Sequence, residues 1–262
     1  MATNQPYTTR LQAGLGLIPE TRVLLDLWQV GMTASQLQQI ALESGRFPTM
    51  TARRLRNLIT ECFAPRYLVE GGAPASSLKR LSSSIPAAEV TPLMLLYTCR
   101  ANPILGDFVR QVYWTRYGGG YTHLATGDAR AFVERGIDDG KTIKRWSEST
   151  VRRVSGYLTG CCADYGLLER GARARRRILP FRVPSSVVAY LAHELHFKGV
   201  GDNGLLAHED WQLFGLARED VLEEIKRLSL KGLLIVQSAG ELIRISWKKQ
   251  DMEALCDVLT QG

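Results

Sequence analysis

The chain has 262 residues, of which 45% are hydrophobic and 23% are charged, and its formal net charge is +7. This apolar fraction excludes a globally disordered chain and allows one large core or two to three small ones. No stretch approaches the roughly 18 apolar residues that a membrane helix needs, and residues 1–11 lack the apolar core of a signal peptide. We therefore expect a cytoplasmic protein without a membrane partner.

The positive charge is concentrated in residues 141–182. This segment holds eleven Lys/Arg and three Asp/Glu, a balance of +8, so the other 220 residues sum to −1. A localised excess of cations favours a polyanionic partner.

Residues 1–70 are predicted to form a three-helix module of the helix-turn-helix type. Thr33-Ala34-Ser35-Gln36 has the capping-box pattern of a helix start. A third helix from about Thr51 would bury Leu55, Leu58, Ile59 and Cys62. Its opposite face carries three arginines, which we read as either a second DNA contact or a solvated helix face: Arg53, Arg54 and Arg56.

Residues 71–92 are rich in Gly, Ala, Ser and Pro, which predicts a flexible linker. Three apolar residues in it, Leu78, Leu81 and Ile85, leave open that it docks on a neighbour. Residues 93–182 are predicted to be a central helical region, interrupted at Asn102-Pro103, where Asn is a candidate N-cap and Pro the first helical residue.

The best-marked helix of the central region begins after Ser147, a candidate N-cap. It would bury Val151, Val154, Leu158, Cys161 and Cys162, while Gly156 and Gly160 each cost about 1 kcal/mol in a helix interior. Residues 167–170 and 178–181 then predict a β-hairpin with an arginine-rich turn. A helix followed by such a hairpin is typical of a winged helix.

Residues 183–262 show the same order of a striped helix and a hairpin, with the strands at 233–236 and 242–247. The fold class predicted for the whole chain is therefore mainly α, with helix-turn-helix-type modules and two small β-hairpin wings. The C-terminal helix carries acidic residues at the positions where a DNA-reading helix carries basic residues. We therefore expect a protein partner or a structural role for it. These acids are Glu219, Asp220, Glu223 and Glu224.

In a winged helix the third helix enters the major groove and the hairpin lies along the phosphates. On that basis the DNA-facing candidates are the exposed side of the helix after Ser147, the basic residues before it, and the wing. If six of these cations neutralise phosphates, the log–log salt slope is about −5. The alternative is a solvated basic loop. The candidates are Lys144, Arg145, Ser149, Arg152, Arg153, Thr159, Arg173, Arg175, Arg176 and Arg177.

The sequence carries no recognisable catalytic or metal-binding motif. It has no P-loop and no G-x-S-x-G. His193 and His196 lie three residues apart, unlike the H-E-x-x-H of zinc proteases. The five cysteines have neither disulfide-framework nor zinc-site spacing. We therefore expect no enzyme activity, cofactor or metal.

Three segments together resemble the BrxA family of BREX bacteriophage-defence systems: "AGLGLIPETRVLLDLWQVGMT", "TARRLRNLI" and "WSESTVRRVSGYLTGCCADYGLLERG". The resemblance covers most of residues 10–200. It implies a small cytoplasmic, non-enzymatic DNA-binding protein that works beside a methyltransferase, an ATPase and other BREX proteins. Carried onto this sequence, the DNA-facing positions are Ser147–Thr159 and Arg173–Arg177.

The leading hypothesis is a double-stranded DNA-binding component of phage defence whose contacts go mainly to phosphates. One alternative is a sequence-specific winged-helix transcription regulator, which would favour a symmetric dimer. Another is an adaptor that docks a partner protein on its acidic C-terminal face. The sequence does not determine the DNA site, the oligomeric state or the step of defence.

Overall fold

The structure, a computed structural model, describes residues 5–171, 174–239 and 242–261. The chain divides into two compact units. The first comprises residues 1–76 and 94–181, and the second comprises residues 77–93 and 182–262. Most described residues are helical and the strands form two small antiparallel pairs, so the prediction of a mainly α protein is confirmed.

The N-terminal part of the first unit contains the predicted three-helix arrangement. The Thr33 hydroxyl accepts a hydrogen bond from the Gln36 amide at 3.3 Å, and the Gln36 side chain accepts one from the Thr33 amide at 2.8 Å, which confirms the capping box. Leu55, Leu58, Ile59 and Cys62 are buried as expected. The helices here are α1 (Ile18–Leu27), α2 (Ala34–Glu43), α3 (Ala52–Asn57), a π-helix (Leu58–Phe63) and α4 (Ala64–Tyr67), with 3-10 turns at Arg10–Ala13 and Glu70–Gly72.

The segment predicted as a flexible linker, 71–92, is mostly helical. It contains α5 (Ala73–Ser82) and the start of α6 (Ala87–Ala101), and the division between the two units falls within these helices. Leu78 and Leu81 are fully buried. The burial of these leucines stabilises α5, which the Gly, Ala and Ser content of the segment alone predicts to be coil.

The rest of the first unit follows Asn102, which does not cap the next helix. Its side-chain amide donates instead to the Thr98 carbonyl at 2.9 Å, one turn back in α6. The helix start at Pro103 is as predicted. The elements are α7 (Pro103–Phe108), a π-helix (Val109–Tyr113), α8 (Trp114–Gly118), β1 (His123–Ala125), α9 (Thr126–Asp138), α10 (Glu148–Asp164) and β2 (Arg175–Arg177).

Strand β2 pairs with β1 rather than chiefly with residues 167–170. The antiparallel register places Leu124 opposite Arg176. The predicted hairpin survives as a single bridge between Leu168 and Ile178, flanked by the Glu169 amide donating to the Arg177 carbonyl at 2.9 Å. The basic segment is therefore held on both sides, by β1 and by residues 167–169.

The second unit contains the predicted helix and hairpin near the C-terminus. Strands β3 and β4 pair antiparallel with Leu234 opposite Trp247. Gly240, which lies between the two predicted strands, is outside the described residues. The elements are α11 (Ser185–Phe197), α12 (Asp202–Leu206), a 3-10 helix (Glu209–Phe214), α13 (Arg218–Leu230), β3 (Leu234–Ala239), β4 (Leu242–Trp247) and α14 (Met252–Gln261).

Candidate nucleic-acid interface

Helix α10 presents two adjacent arginines on its exposed side. The helix starts where predicted, because the Ser147 hydroxyl accepts from the Thr150 amide at 3.3 Å. Val151, Val154 and Leu158 are buried and fix the rotation of the helix. With that stripe inward, Arg152 and Arg153 are exposed on the second turn.

The α10 arginines face solvent without internal neutralisation. Among the residues that the structure describes, no carboxylate pairs with Arg152 or Arg153. The nearby Glu148 side chain is directed to Arg130 instead, at 3.7 Å. Ser149 is exposed, and its hydroxyl lies 3.0 Å from that of Ser147. Uncompensated guanidinium groups at the start of a helix are suited to phosphates and base edges.

Thr159 does not lie on the exposed side of α10, contrary to the expectation. It is 2% exposed, and its hydroxyl donates to the Gly156 carbonyl at 3.2 Å. The N-terminal segment packs against this half of the helix: a Cβ at Gly160 would lie 2.8 Å from Leu15, and the Gly16 amide donates to Asp164 at 2.9 Å. Only the N-terminal half of α10 is therefore available to a partner.

The arginines of β2 alternate between two environments. Arg175 and Arg177 are exposed, and no carboxylate within the described ranges pairs with either. Arg176 is half-buried and donates through Nη1 to the Glu169 carbonyl at 3.1 Å. Since side chains alternate across a strand, the expectation that all these arginines form one wing-tip cluster is wrong for Arg176. Arg173 lies outside the described residues.

The loop between α9 and α10 adds further cations. Lys144 is exposed, and no acid in the described part of the chain pairs with it. The side chain of Arg145 is 82% exposed, with Asp138 at 3.5 Å. Between Lys141 and Lys144 lies Ile143, which is 84% exposed and was not predicted as a functional residue. Its sequence signal is slight, a single branched apolar residue in a basic loop.

The arginines of α3 are exposed, as predicted. Thr51 caps the helix by accepting from the Arg54 amide at 3.2 Å, which directs Arg53, Arg54 and Arg56 away from the buried Leu55. The structure thus leaves these side chains accessible. Whether they contact DNA stays a prediction.

The acidic side of α13 is partly compensated by its own helix. The Lys226 ammonium donates to the Glu223 carboxylate at 2.8 Å, and this hydrogen bond lowers the pKa of Glu223. Glu224 is paired with Arg227. Asp220 accepts from the Ala217 amide at 2.9 Å at the start of the helix. Its excess of negative charge is therefore smaller than the residue count indicates.

The cysteines and His193 are suited to core packing. All five thiols are buried, and burial raises the pKa of Cys161 to about 12, where a nucleophilic thiolate is scarce at neutral pH. His193 is fully buried. Within the described residues, no group of His, Cys, Asp and Glu has the arrangement of a metal site, and no helix has the length and apolar character to cross a membrane.

Comparison with known proteins gives both a fold relative and a family. The chain is similar to the crystal structure of an uncharacterized protein from Magnetospirillum magneticum, with a TM-score of 0.59 and 16% identity over 80% of this chain and 98% of that one. No curated protein matches. The family model of BrxA matches residues 5–194. The chain therefore belongs to the BrxA family, which is associated with BREX systems.

Proposed function

We propose that this protein is a non-enzymatic component of a BREX phage-defence system that binds double-stranded DNA mainly through its phosphates. The observation that carries the proposal is that the segment with the concentrated positive charge, residues 141–182, presents a set of exposed cations for which the described residues provide no carboxylate partner. In a folded protein such charges are available to a polyanion, and their release of condensed counterions supplies the binding free energy. The set is Lys144, Arg152, Arg153, Arg175 and Arg177.

The order of elements around this set supports a winged-helix reading. Helices α7 and α8 are followed by β1, then α9, then α10, and finally β2 returns to pair with β1. In winged-helix and other helix-turn-helix proteins, the helix in the position of α10 is the one that enters the major groove. The exposed N-terminal half of α10 carries Ser149, Arg152 and Arg153, which are residue types able to reach base edges.

The anchoring of the wing also supports this proposal. The Ala174 carbonyl accepts from the Thr126 amide at 2.9 Å, which ties the basic segment to the start of α9. A phosphate-binding strand held by neighbouring elements loses less conformational freedom on binding than a free basic loop. This argument favours a binding surface over a solvated charge run.

The proposal is tested by charge reversal at four of these positions. We expect the variant carrying Arg152→Glu, Arg153→Glu, Arg175→Glu and Arg177→Glu to bind a random 25-base-pair duplex at least about 100-fold more weakly than the wild type near physiological salt. Fluorescence anisotropy measures the affinity, and circular dichroism checks the fold. The four side chains are exposed, so their replacement leaves the core intact.

The matched control makes the same change in net charge elsewhere. Lys231, Arg244 and Lys248 are exposed and Lys249 is half-exposed, all in the second unit. Changing these four to Glu is expected to alter affinity by about threefold or less, because none of the four belongs to the proposed surface and a change in net charge alone is screened by salt. Equal losses of affinity in both variants would mean that net charge alone determines binding, and this would overturn the proposed surface.

A second candidate is a sequence-specific regulator, which Ser149 and the neighbouring arginines on α10 favour as potential base readers. It predicts discrimination of about 1000-fold or more between a cognate site and random DNA. Competition between a candidate promoter fragment and random duplex of equal length separates the two. A ratio near one eliminates the regulator and leaves phosphate-dominated binding.

Other BREX proteins are the proposed protein partners, on the ground of family membership. The exposed start of α13, with Glu219 and Asp220, is the candidate docking face. Changing Glu219 to Lys, which leaves the Asp220 cap of α13 in place, is expected to reduce co-purification with BREX proteins and to leave DNA affinity within about twofold, since the α10 and β2 cations are unchanged. Unaltered co-purification would contradict this assignment.

A further inference from the structure

One apolar side chain lies exposed directly beside Lys144, a cation of the proposed DNA surface. Ile143 is 84% exposed in the loop between α9 and α10. The two residues that follow it, Lys144 and Arg145, are also exposed. Scattered exposed apolar residues are common in proteins, so exposure alone does not identify a function. The loop that carries Ile143 supplies the further observations.

The base of this loop is fixed by buried contacts with the N-terminal segment. The Tyr7 amide donates to the Lys141 carbonyl at 2.7 Å, and the Tyr7 hydroxyl donates to Asp107 at 2.6 Å. The Lys141 ammonium lies 3.2 Å from both that carboxylate and the Tyr7 hydroxyl. Tyr7 is 4% exposed and sits so close to α9 that a Cβ at Gly136 would lie 2.7 Å from its ring. Ile143 therefore lies only two residues beyond Lys141, whose position these contacts fix.

The position of the loop places Ile143 near the helix proposed to bind DNA. It precedes the first residue of α10, Glu148, by five residues. Five residues span at most about 17 Å, so Ile143 lies within that distance of the start of α10. If this helix start enters the major groove, which is roughly 12 Å wide, a side chain within that range can meet the bordering sugar–phosphate strand or the adjacent base step.

We infer that Ile143 is an apolar wedge that inserts against a base step when the protein binds DNA. An apolar tip followed by cations is complementary to a base stack bordered by phosphates. Branched and aromatic side chains act in this way in proteins that kink DNA, where they partly unstack one step and bend the duplex by roughly 20–90°. The inference rests on the proposed DNA binding and assigns a mode of contact to it.

The test compares wild type and Ile143→Ala on two duplexes that differ by one central mismatch. A mismatched step is already weakly stacked, so a wedge binds it more tightly. We expect the wild type to prefer the mismatched duplex by about tenfold and Ile143→Ala by less than about twofold. On matched DNA the variant is expected to bind about tenfold more weakly, with an unchanged salt slope, because no charge is removed.

Two controls accompany this comparison. Ile143→Leu keeps a branched apolar tip and is expected to retain the mismatch preference. Leu230→Ala removes a side chain that is 90% exposed on α13 in the second unit and is expected to behave as the wild type. Energy transfer between dyes on the two ends of the duplex reports the bend, which Ile143→Ala should lose.

The outcomes separate the wedge from the DNA binding on which it rests. Wild type that does not bind the duplex overturns the proposed function and the wedge with it. Salt-dependent binding that is equal in wild type and Ile143→Ala overturns the wedge alone. The wedge is also overturned if Ile143→Ala binds DNA more weakly but keeps the bend and the mismatch preference. A variant that binds DNA normally but shifts the sedimentation coefficient places Ile143 in a protein contact instead, which also overturns the wedge.

Discussion

Two helix glycines of the first unit have opposite surroundings. A Cβ built at Gly156, on the half-exposed side of α10, would have no neighbouring atom within 4 Å among the described residues. A Cβ at Gly136, in α9, would lie 2.7 Å from the ring of Tyr7, whose backbone and hydroxyl are both anchored. The same substitution should therefore have opposite effects at the two positions.

We predict that Gly156→Ala raises the free energy of unfolding by about 1 kcal/mol, because alanine restricts the unfolded chain and favours helix. Gly136→Ala should lower it by about 1–3 kcal/mol, since the new methyl group displaces a buried ring. Urea titration followed by circular dichroism gives both values. A destabilised Gly156→Ala would mean that another part of the chain occupies the space beside Gly156.

His193 makes the stability of the second unit depend on pH. Its Nδ1 lies 2.7 Å from the Ala189 carbonyl, which only accepts, so Nδ1 carries the proton and the buried Nε2 has no partner in the described residues. Burial lowers the pKa of His193 to about 4, below its ordinary value near 6.5. The unfolded chain therefore binds a proton at a higher pH than the folded one.

From this difference we predict that the contribution of His193 to the free energy of unfolding is constant above about pH 6.5 and falls by up to about 3 kcal/mol as the pH decreases to about 4. Denaturant titrations at half-unit pH steps measure the dependence. His193→Gln removes the titrating group and should flatten this part of the profile. A profile of equal slope in wild type and variant would assign the dependence to other groups, such as His196, whose pKa burial also lowers.

Among the elements, strand β2 separates an arginine with a structural contact from two arginines that we propose to bind DNA. Arg176 is held against the Glu169 carbonyl, while Arg175 and Arg177 are exposed on the opposite side. We predict that Arg175→Met or Arg177→Met weakens DNA binding about threefold to tenfold and reduces the salt slope by about 1. Arg176→Met should lower the free energy of unfolding by about 1 kcal/mol through its lost hydrogen bond and should leave the salt slope unchanged.

Thermal melts and anisotropy titrations on the same three variants check this division. An Arg176→Met protein that melts as the wild type and loses a phosphate contact would contradict it. Lys231→Met is a suitable control, because Lys231 is exposed in the second unit.

Local sequence patterns predicted the elements whose signals are local. The capping box at Thr33, the cap at Ser147 and the buried stripe of α10 require only residues within one or two turns. Strand β1 was missed because a three-residue strand after Gly118–Gly120 has no periodicity of its own and exists through its pairing with β2. The burial of Thr159 was missed for a related reason, since the segment around Leu15 that packs on that half of α10 is distant in the sequence.

The sequence predicted which residues form the candidate site better than it predicted how their side chains are arranged. The clustered charge identified α10 and the basic segment, because net charge can be summed along the sequence without knowledge of the fold. The inward position of Arg176 depends on the register between β1 and β2, and a shift of one residue would exchange its environment with that of its neighbours. Charge counting alone does not fix that register.

For the whole molecule, the uneven charge sets the expected dependence on salt. Residues 141–182 carry +8, while residues 183–262 carry eight basic and twelve acidic groups, a balance of −4. Binding that is dominated by the first of these segments depends on the number of its cations that reach phosphates, with each contributing about −0.9 to the log–log slope. The five exposed cations of the proposed surface give a slope of about −4.5.

The central claim is tested most directly by the salt dependence of binding to random duplex DNA between about 50 and 200 mM monovalent salt. We predict a slope of about −4 to −5 for the wild type. With Arg152, Arg153, Arg175 and Arg177 changed to Met, only Lys144 of the set remains, and the predicted slope is about −1. No binding at low salt, or a slope that is equal in the two proteins, would contradict the claim that these cations bind DNA.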